Sequence, residues 1–120
     1  MQQARIDLDL YTYLDLWLSR LEQLSVGRGP VVLLPFNFSD QCSGWLRVSH
    51  ADHWLVEVQA GWSRVGQYSL EPADLLAPEK GIHDFEPVLN ARIERPLTDI
   101  IAAVAAAWNA LTEGRDAYDD

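Results

Sequence analysis

The chain has 120 residues, enough for one domain core and too few for two. With 48% hydrophobic and 22% charged residues, it has the make-up of a folded globular protein and not of a disordered chain. Lys and Arg number 9 against 18 Asp and Glu, a net charge of −9; such a surface repels phosphate backbones and anionic lipid, which disfavours direct binding to DNA, RNA or a membrane and favours a basic protein partner.

Cys42 is the single cysteine and has no partner for an internal disulfide. The opening MQQARIDLDL has neither a basic n-region nor an apolar h-region. The longest strongly apolar run, residues 100–108, is about half of a bilayer span. A cytoplasmic protein is expected. Lys80 is the only lysine among the basic residues, while Ala, Leu and Arg are used freely, a bias associated with GC-rich bacterial genomes.

Residues 5–10 alternate polar and apolar, and read as a short edge strand or as the lead-in to a helix. Thr12 followed by Asp15 has the shape of a capping box, and Leu14, Trp17, Leu18, Leu21 and Leu24 then recur at helical spacing. Asp15, Ser19, Glu22 and Gln23 are left for solvent. Gly27-Arg-Gly-Pro30 ends that helix. Residues 31–34, VVLL, predict a strand covered on both faces, with Pro35 limiting its pairing to an end or an edge, and residues 37–43 predict a loop.

Residues 44–49 and 54–60 predict a hairpin joined by His50-Ala-Asp-His53. Alternation puts Trp54, Val56, Val58, Ala60 and Trp62 on one face and Glu57 and Gln59 on the other. Residues 67–70 predict a further short strand. Residues 71–84 read as a long surface loop with one helical turn at 72–76. Residues 85–93 predict a last strand, after which Pro96 opens a helix lined by Leu97, Ile100, Ile101, Val104, Trp108 and Leu111 and ended by Gly114. The expected fold is α+β: an antiparallel sheet of about four to five strands, with an N-terminal and a C-terminal helix packed on one face. Residues 1–112 form the domain and 113–120 a short, acidic, flexible tail.

Candidate chemistry is sparse. His50, Asp52 and His53, with Cys42 and His83, are the residues that could suggest a metal; the HxxH lacks the helical register that aims two imidazoles at one ion, so a polar hairpin tip is the reading and no metal is expected. Nothing around Cys42 resembles a nucleophile elbow or a protease signature. The pairs Asp84/Glu86 and Asp7/Asp9 lie two apart, as acid/base carboxylates could, but pairs of that kind arise by chance in so acidic a chain. Gly27-Arg-Gly29 follows a helix instead of preceding one, which excludes a phosphate cradle. No cofactor is expected.

The feature of most weight joins acidity to aromatic excess. Glu71, Asp74, Glu79, Asp84 and Glu86, against Lys80, give residues 71–86 a local net charge of −4 near Trp62 and Tyr68. Trp and Tyr are enriched in binding hot spots, and a negative field speeds capture of a basic partner. Trp45 alternates away from Leu46 and Val48, so it is either covered by a second layer or exposed for binding.

The stretches WLVEVQAGWSRVGQYSLEPADL (54–75) and IERPLTDIIAAVAAAWNAL (93–111) resemble small proteins of GC-rich bacteria, and the overall plan is similar to immunity proteins of bacterial polymorphic toxin systems. The resemblance implies a stoichiometric inhibitor whose acidic surface occludes the active site of a basic nuclease or other toxin domain, with no catalytic residue of its own. The expectation is therefore a non-enzymatic binding protein. Glu71, Asp74, Glu79, Asp84 and Glu86 would steer the partner, and Trp45, Trp62 or Tyr68 would anchor it. Two alternatives come from other classes. One is a small-molecule domain or minor enzyme using His83 with Asp84 or Glu86 in a pocket between sheet and helices. The other is an assembly subunit with an apolar Trp face as homodimer contact.

Overall fold

The β-branched and leucine-rich run that begins at Val31 opens the first of four consecutive antiparallel strands. The computed structural model describes residues 10–118 apart from 28, 67, 68, 71–73 and 76. Its elements are α1 (Leu10–Ser25), β1 (Val31–Phe38), β2 (Ser43–His50), β3 (Leu55–Ser63), β4 (Glu86–Pro96) and α2 (Leu97–Tyr118). The sheet order β1-β2-β3-β4 is that of a meander, and the fold is α+β as expected, with four strands. No helix of the described residues is long and apolar enough to cross a membrane.

One sheet face carries both helices. Leu14, Leu21 and Leu24 of α1 and Leu97 and Val104 of α2 pack against Val32, Leu34, Val48 and Val56, with Trp17, Trp108 and Ile100 closing the margin. Gly27 ends α1 at φ +78° and donates its N–H to Leu24 O, a conformation that costs glycine little. The helix begins at Leu10, so Thr12 lies inside the first turn and does not cap it.

The opposite face is closed by the irregular chain between β3 and β4. Leu33 and Trp45 project into a second core with Leu70, Leu75 and Ile82, flanked by Phe38, Val65 and Phe85. A chain of hydrogen bonds fixes this layer: Trp45 Nε1 donates to Ser43 Oγ (2.8 Å), Ser43 Oγ to Val65 O (2.6 Å), Val65 N to Ser63 Oγ (3.0 Å), and Ser63 Oγ to Asp84 Oδ1 (2.5 Å). Gly66 passes so close to the Asp40 carbonyl that a Cβ there would collide with backbone.

Several elements depart from the sequence pattern. β1 runs through Pro35 to Phe38, because an edge strand needs no N–H at that position. Trp54 sits in the turn and is 61% exposed instead of sharing the face of Val56 and Val58: Ala51 N and Asp52 N both close on Leu55 O, so β3 starts one residue later. Of the strand expected over 67–70, Gln67 and Tyr68 lie outside the described residues, and Ser69 closes a turn onto Gly66 O. The helical turn expected over 72–76 falls largely outside them too. α2 continues past its expected end at Gly114 to Tyr118, because an interior glycine costs a helix only about 1 kcal/mol.

Candidate functional site

Pro35 breaks the ladder of β1, and the register with β2 shifts between Pro35 and Asn37, leaving Phe36 as the extra residue. Its ring lies across Gly44, where an added Cβ would stand 2.7 Å from Phe36 Cζ. Gly44 pairs with Trp62 on β3, and Phe36 meets Trp62 edge-to-face with centroids 5.7 Å apart. The missing side chain at Gly44 thus lets two large rings, from β1 and β3, meet over β2 between them. Both remain open to solvent, Phe36 at 37% and Trp62 at 40%.

A cleft borders this ridge on each side. Toward α1, Leu10, Tyr13, Leu14, Trp17 and Phe36 line an apolar cleft of about 360 Å³. Trp17 is fixed there by donating Nε1 to Pro35 O at 2.8 Å. Toward β4, Cys42, Trp62, Ser63, Arg64, Asp84 and Glu86 line a cleft of about 390 Å³. Glu86 is the cross-strand neighbour of Trp62 and is exposed. Asp84 accepts from Ser63 Oγ and from Arg64 N (2.9 Å), and these bonds, the Ser63 hydroxyl first, hold its carboxyl below the ordinary value. The rim is therefore an ionised, positioned Asp84 beside Glu86, with Arg64 as the one cation among the described residues lining the cleft.

Of the residues expected to bind a partner, Trp62, Asp84 and Glu86 come together here. Trp45 does not: it is fully buried beneath the irregular layer, which corrects its reading as an anchor, because no partner can reach it without that layer lifting. Glu79 is also withdrawn from steering. Its carboxylate forms an ion pair with Arg20 of α1 and accepts the Leu33 N–H of β1 at 3.0 Å. Asp74 is half-buried, and Glu71 and Tyr68 lie outside the described residues.

His83 is exposed and lines neither cleft. At the hairpin tip, His50 Nε2 lies 3.3 Å from Leu24 O and Asp52 takes the His53 N–H, so these residues shape a turn. Among the described residues no three His, Cys, Asp or Glu side chains converge as a metal would require. Cys42 Sγ lies 3.0 Å from Ser39 Oγ.

Two features went unread in the sequence. Phe36 falls between the expected strand and the expected loop, although a proline within an apolar run signals an edge or a bulge. In β4, residues 88–91 bulge out opposite the single residue Ala60 of β3. Gln59, 7% exposed, holds that bulge by donating Nε2 to Val88 O and Ala91 O, and Asn90 adopts φ +65°. Leu89 stands at its tip, 87% exposed.

No family model, no curated protein and no solved structure matches the chain.

Proposed function

We propose that this chain is a non-enzymatic protein-binding domain that receives a basic partner on the Phe36–Trp62 ridge, with Asp84 and Glu86 as its acidic rim. The observation that carries the reading is the exposed aromatic pair beside a fixed Asp84 and an exposed Glu86 on a chain of net charge −9. Aromatic anchors supply desolvated contact area, while like-signed rim charges orient the encounter. In its most concrete form the protein is a cytoplasmic, bacterial immunity or antitoxin-like inhibitor that covers the active site of a basic toxin or nuclease. The resemblance in overall plan supports that form, and stoichiometric occlusion asks nothing of a catalytic group.

The test is capture from a lysate of the source organism at low and high salt, with retained proteins identified by mass spectrometry. A single basic protein, retained stoichiometrically and loosened by salt, is the expected result. Phe36→Ala and Trp62→Ala should each weaken its binding about thirtyfold, the size of a hot-spot loss. Glu86→Lys should slow association about threefold at low ionic strength. Trp54→Ala is the control: more exposed still, it sits in the turn before β3, at the opposite end of that strand from Trp62, and should change nothing. Equal losses from Trp54→Ala and Trp62→Ala would sink the ridge as the docking surface.

A further inference from the structure

The two edges of the sheet are treated differently by their own chain. At β1, the outward Leu33 N–H is taken by Glu79, Pro35 has no N–H, and its carbonyl is taken by Trp17. That edge is blocked at Leu33 and Pro35. At β4, no strand among the described residues pairs with the outer side. Leu97 N donates to Trp54 O, which fixes the alternation: Arg95 and Ile93 bond inward to β3, and the amides and carbonyls of Arg92 and Glu94 point outward. The Arg95 guanidinium, donating to Glu94 O at 2.7 Å, marks the same outward carbonyl. The stretch is bounded by the 88–91 bulge on one side and by Pro96 on the other, which leaves residues 92–95 as a short open template.

We infer that this edge pairs with β4 of a second copy of the chain, antiparallel about a two-fold axis at Ile93. The observation that selects the occupant is charge complementarity within the strand itself. With Ile93 opposite its own copy, Arg92 of each chain, whose guanidinium already reaches Glu57 of its own β3 at 2.9 Å, faces Glu94 of the other and bridges the two carboxylates, and each outward amide meets an outward carbonyl. Shifting the register two residues either way sets Arg92 against Arg92 or Glu94 against Glu94, which like charges disfavour. In the chosen register Ile93, 50% exposed, meets Ile93 on the helix-bearing face. With Arg92 and Arg95 set against Glu94 and the Glu57 that pairs with Arg92, the open edge is close to charge-balanced, so the contact avoids the self-repulsion that an acidic surface would meet. On pairing, the Glu94 carbonyl exchanges its exposed Arg95 contact for an inter-strand bond. The result is a continuous eight-stranded sheet with two-fold symmetry, an isologous contact of the commonest kind.

The test is sedimentation velocity over a wide protein concentration range on the wild-type chain and on Glu94→Arg and Arg92→Glu. The wild type should dimerise reversibly, and each variant alone should dimerise at least about tenfold more weakly, because both symmetric pairs become like-charged. Mixing the two variants should restore a heterodimer, since one chain then carries arginine at both positions and the other glutamate at both, and every facing pair is again opposite in charge. Circular dichroism establishes that each variant is folded, and Glu94→Pro offers a second check, because it deletes an outward N–H and leaves the bonds to β3 intact. A wild type that stays monomeric throughout, variants that dimerise as the wild type does, or a mixture no tighter than its components would overturn the inference.

Discussion

Removing the Glu79 carboxylate separates its structural role from the steering role that the charge pattern suggests. Glu79 sits on the short 3-10 helix Pro78–Lys80 and bonds both Arg20 and the Leu33 amide. The Arg20 side chain is 7% exposed and that of Glu79 29%. Stripping one partner from a buried ion pair typically costs about 3–5 kcal/mol; because Glu79 is open on one side, water can reach Arg20 and the loss should fall nearer 2–3 kcal/mol. The orphaned Leu33 N–H adds about 1 kcal/mol. Glu79→Ala should therefore destabilise by about 3–4 kcal/mol. At roughly 2.1 cal/mol/K per residue of unfolding entropy, that lowers Tm by about 12–16 °C. Urea unfolding followed by tryptophan fluorescence measures it, and a cycle with Arg20→Met isolates the coupling, expected at about 2 kcal/mol. The double variant should recover part of the loss, since replacing both partners removes the stranded charge. A Glu79→Ala protein within about 0.5 kcal/mol of wild type that nonetheless captures its partner more slowly would refute the structural assignment and return Glu79 to the steering set.

Two further outcomes follow from the second core. Trp45→Ala should cost about 3–5 kcal/mol in urea unfolding and expose residues 64–85 to limited proteolysis, because it deletes a fully buried ring and the first donor in the chain to Val65; the half-exposed Trp62 should lose far less. Asp84 ties stability to pH with a definite sign. Its carboxyl is held below its ordinary 3.8 chiefly by the Ser63 hydroxyl, so the stability it contributes is present above that value and disappears as pH falls through the lower folded value. Asp84→Asn should thus be less stable than wild type near neutrality, with the gap between their urea midpoints closing as pH drops below about 4; a gap constant from neutral to acid pH would contradict the assignment.

Elements with a complete local period were legible. Leu14, Leu21 and Leu24 mark the buried stripe of α1, Pro96 and the Leu97–Val104 spacing mark α2, and alternation in β2 and β3 marks the hairpin. Trp45 was harder for a physical reason. Its face of β2 is shared with Arg47 and Ser49, which reads as solvent, and what covers it is an irregular segment with Leu70, Leu75 and Ile82 at no fixed period. Arg47 itself is spent on the Phe85 ring, 4.6 Å from its centroid. The Arg20–Glu79 pair spans 59 positions of sequence, and no local pattern links its halves. Phe36 is a binding candidate only because Gly44 leaves room for its ring, a relation between two strands that composition cannot carry.

These placements change what the acidity can do. Of the five acids singled out between residues 71 and 86, Glu79 is neutralised by Arg20 and Asp84 is locked by Ser63 and Arg64, while Glu86 is exposed. The acidic run is therefore not a free patch of five charges. What a partner meets at long range is the field of the whole chain at −9, which decays over a Debye length of about 8 Å at physiological salt and cannot by itself choose among basic proteins. Selectivity has to come at contact, from shape and desolvation. The ridge meets that requirement: two rings held at a fixed angle over Gly44 lose little conformational freedom on binding. Glu86, next to Trp62 across the strand pair, places one charge where an arginine of the partner could lie along the indole. On this reading salt should change the association rate strongly and the dissociation rate weakly, whereas loss of either ring should do the reverse.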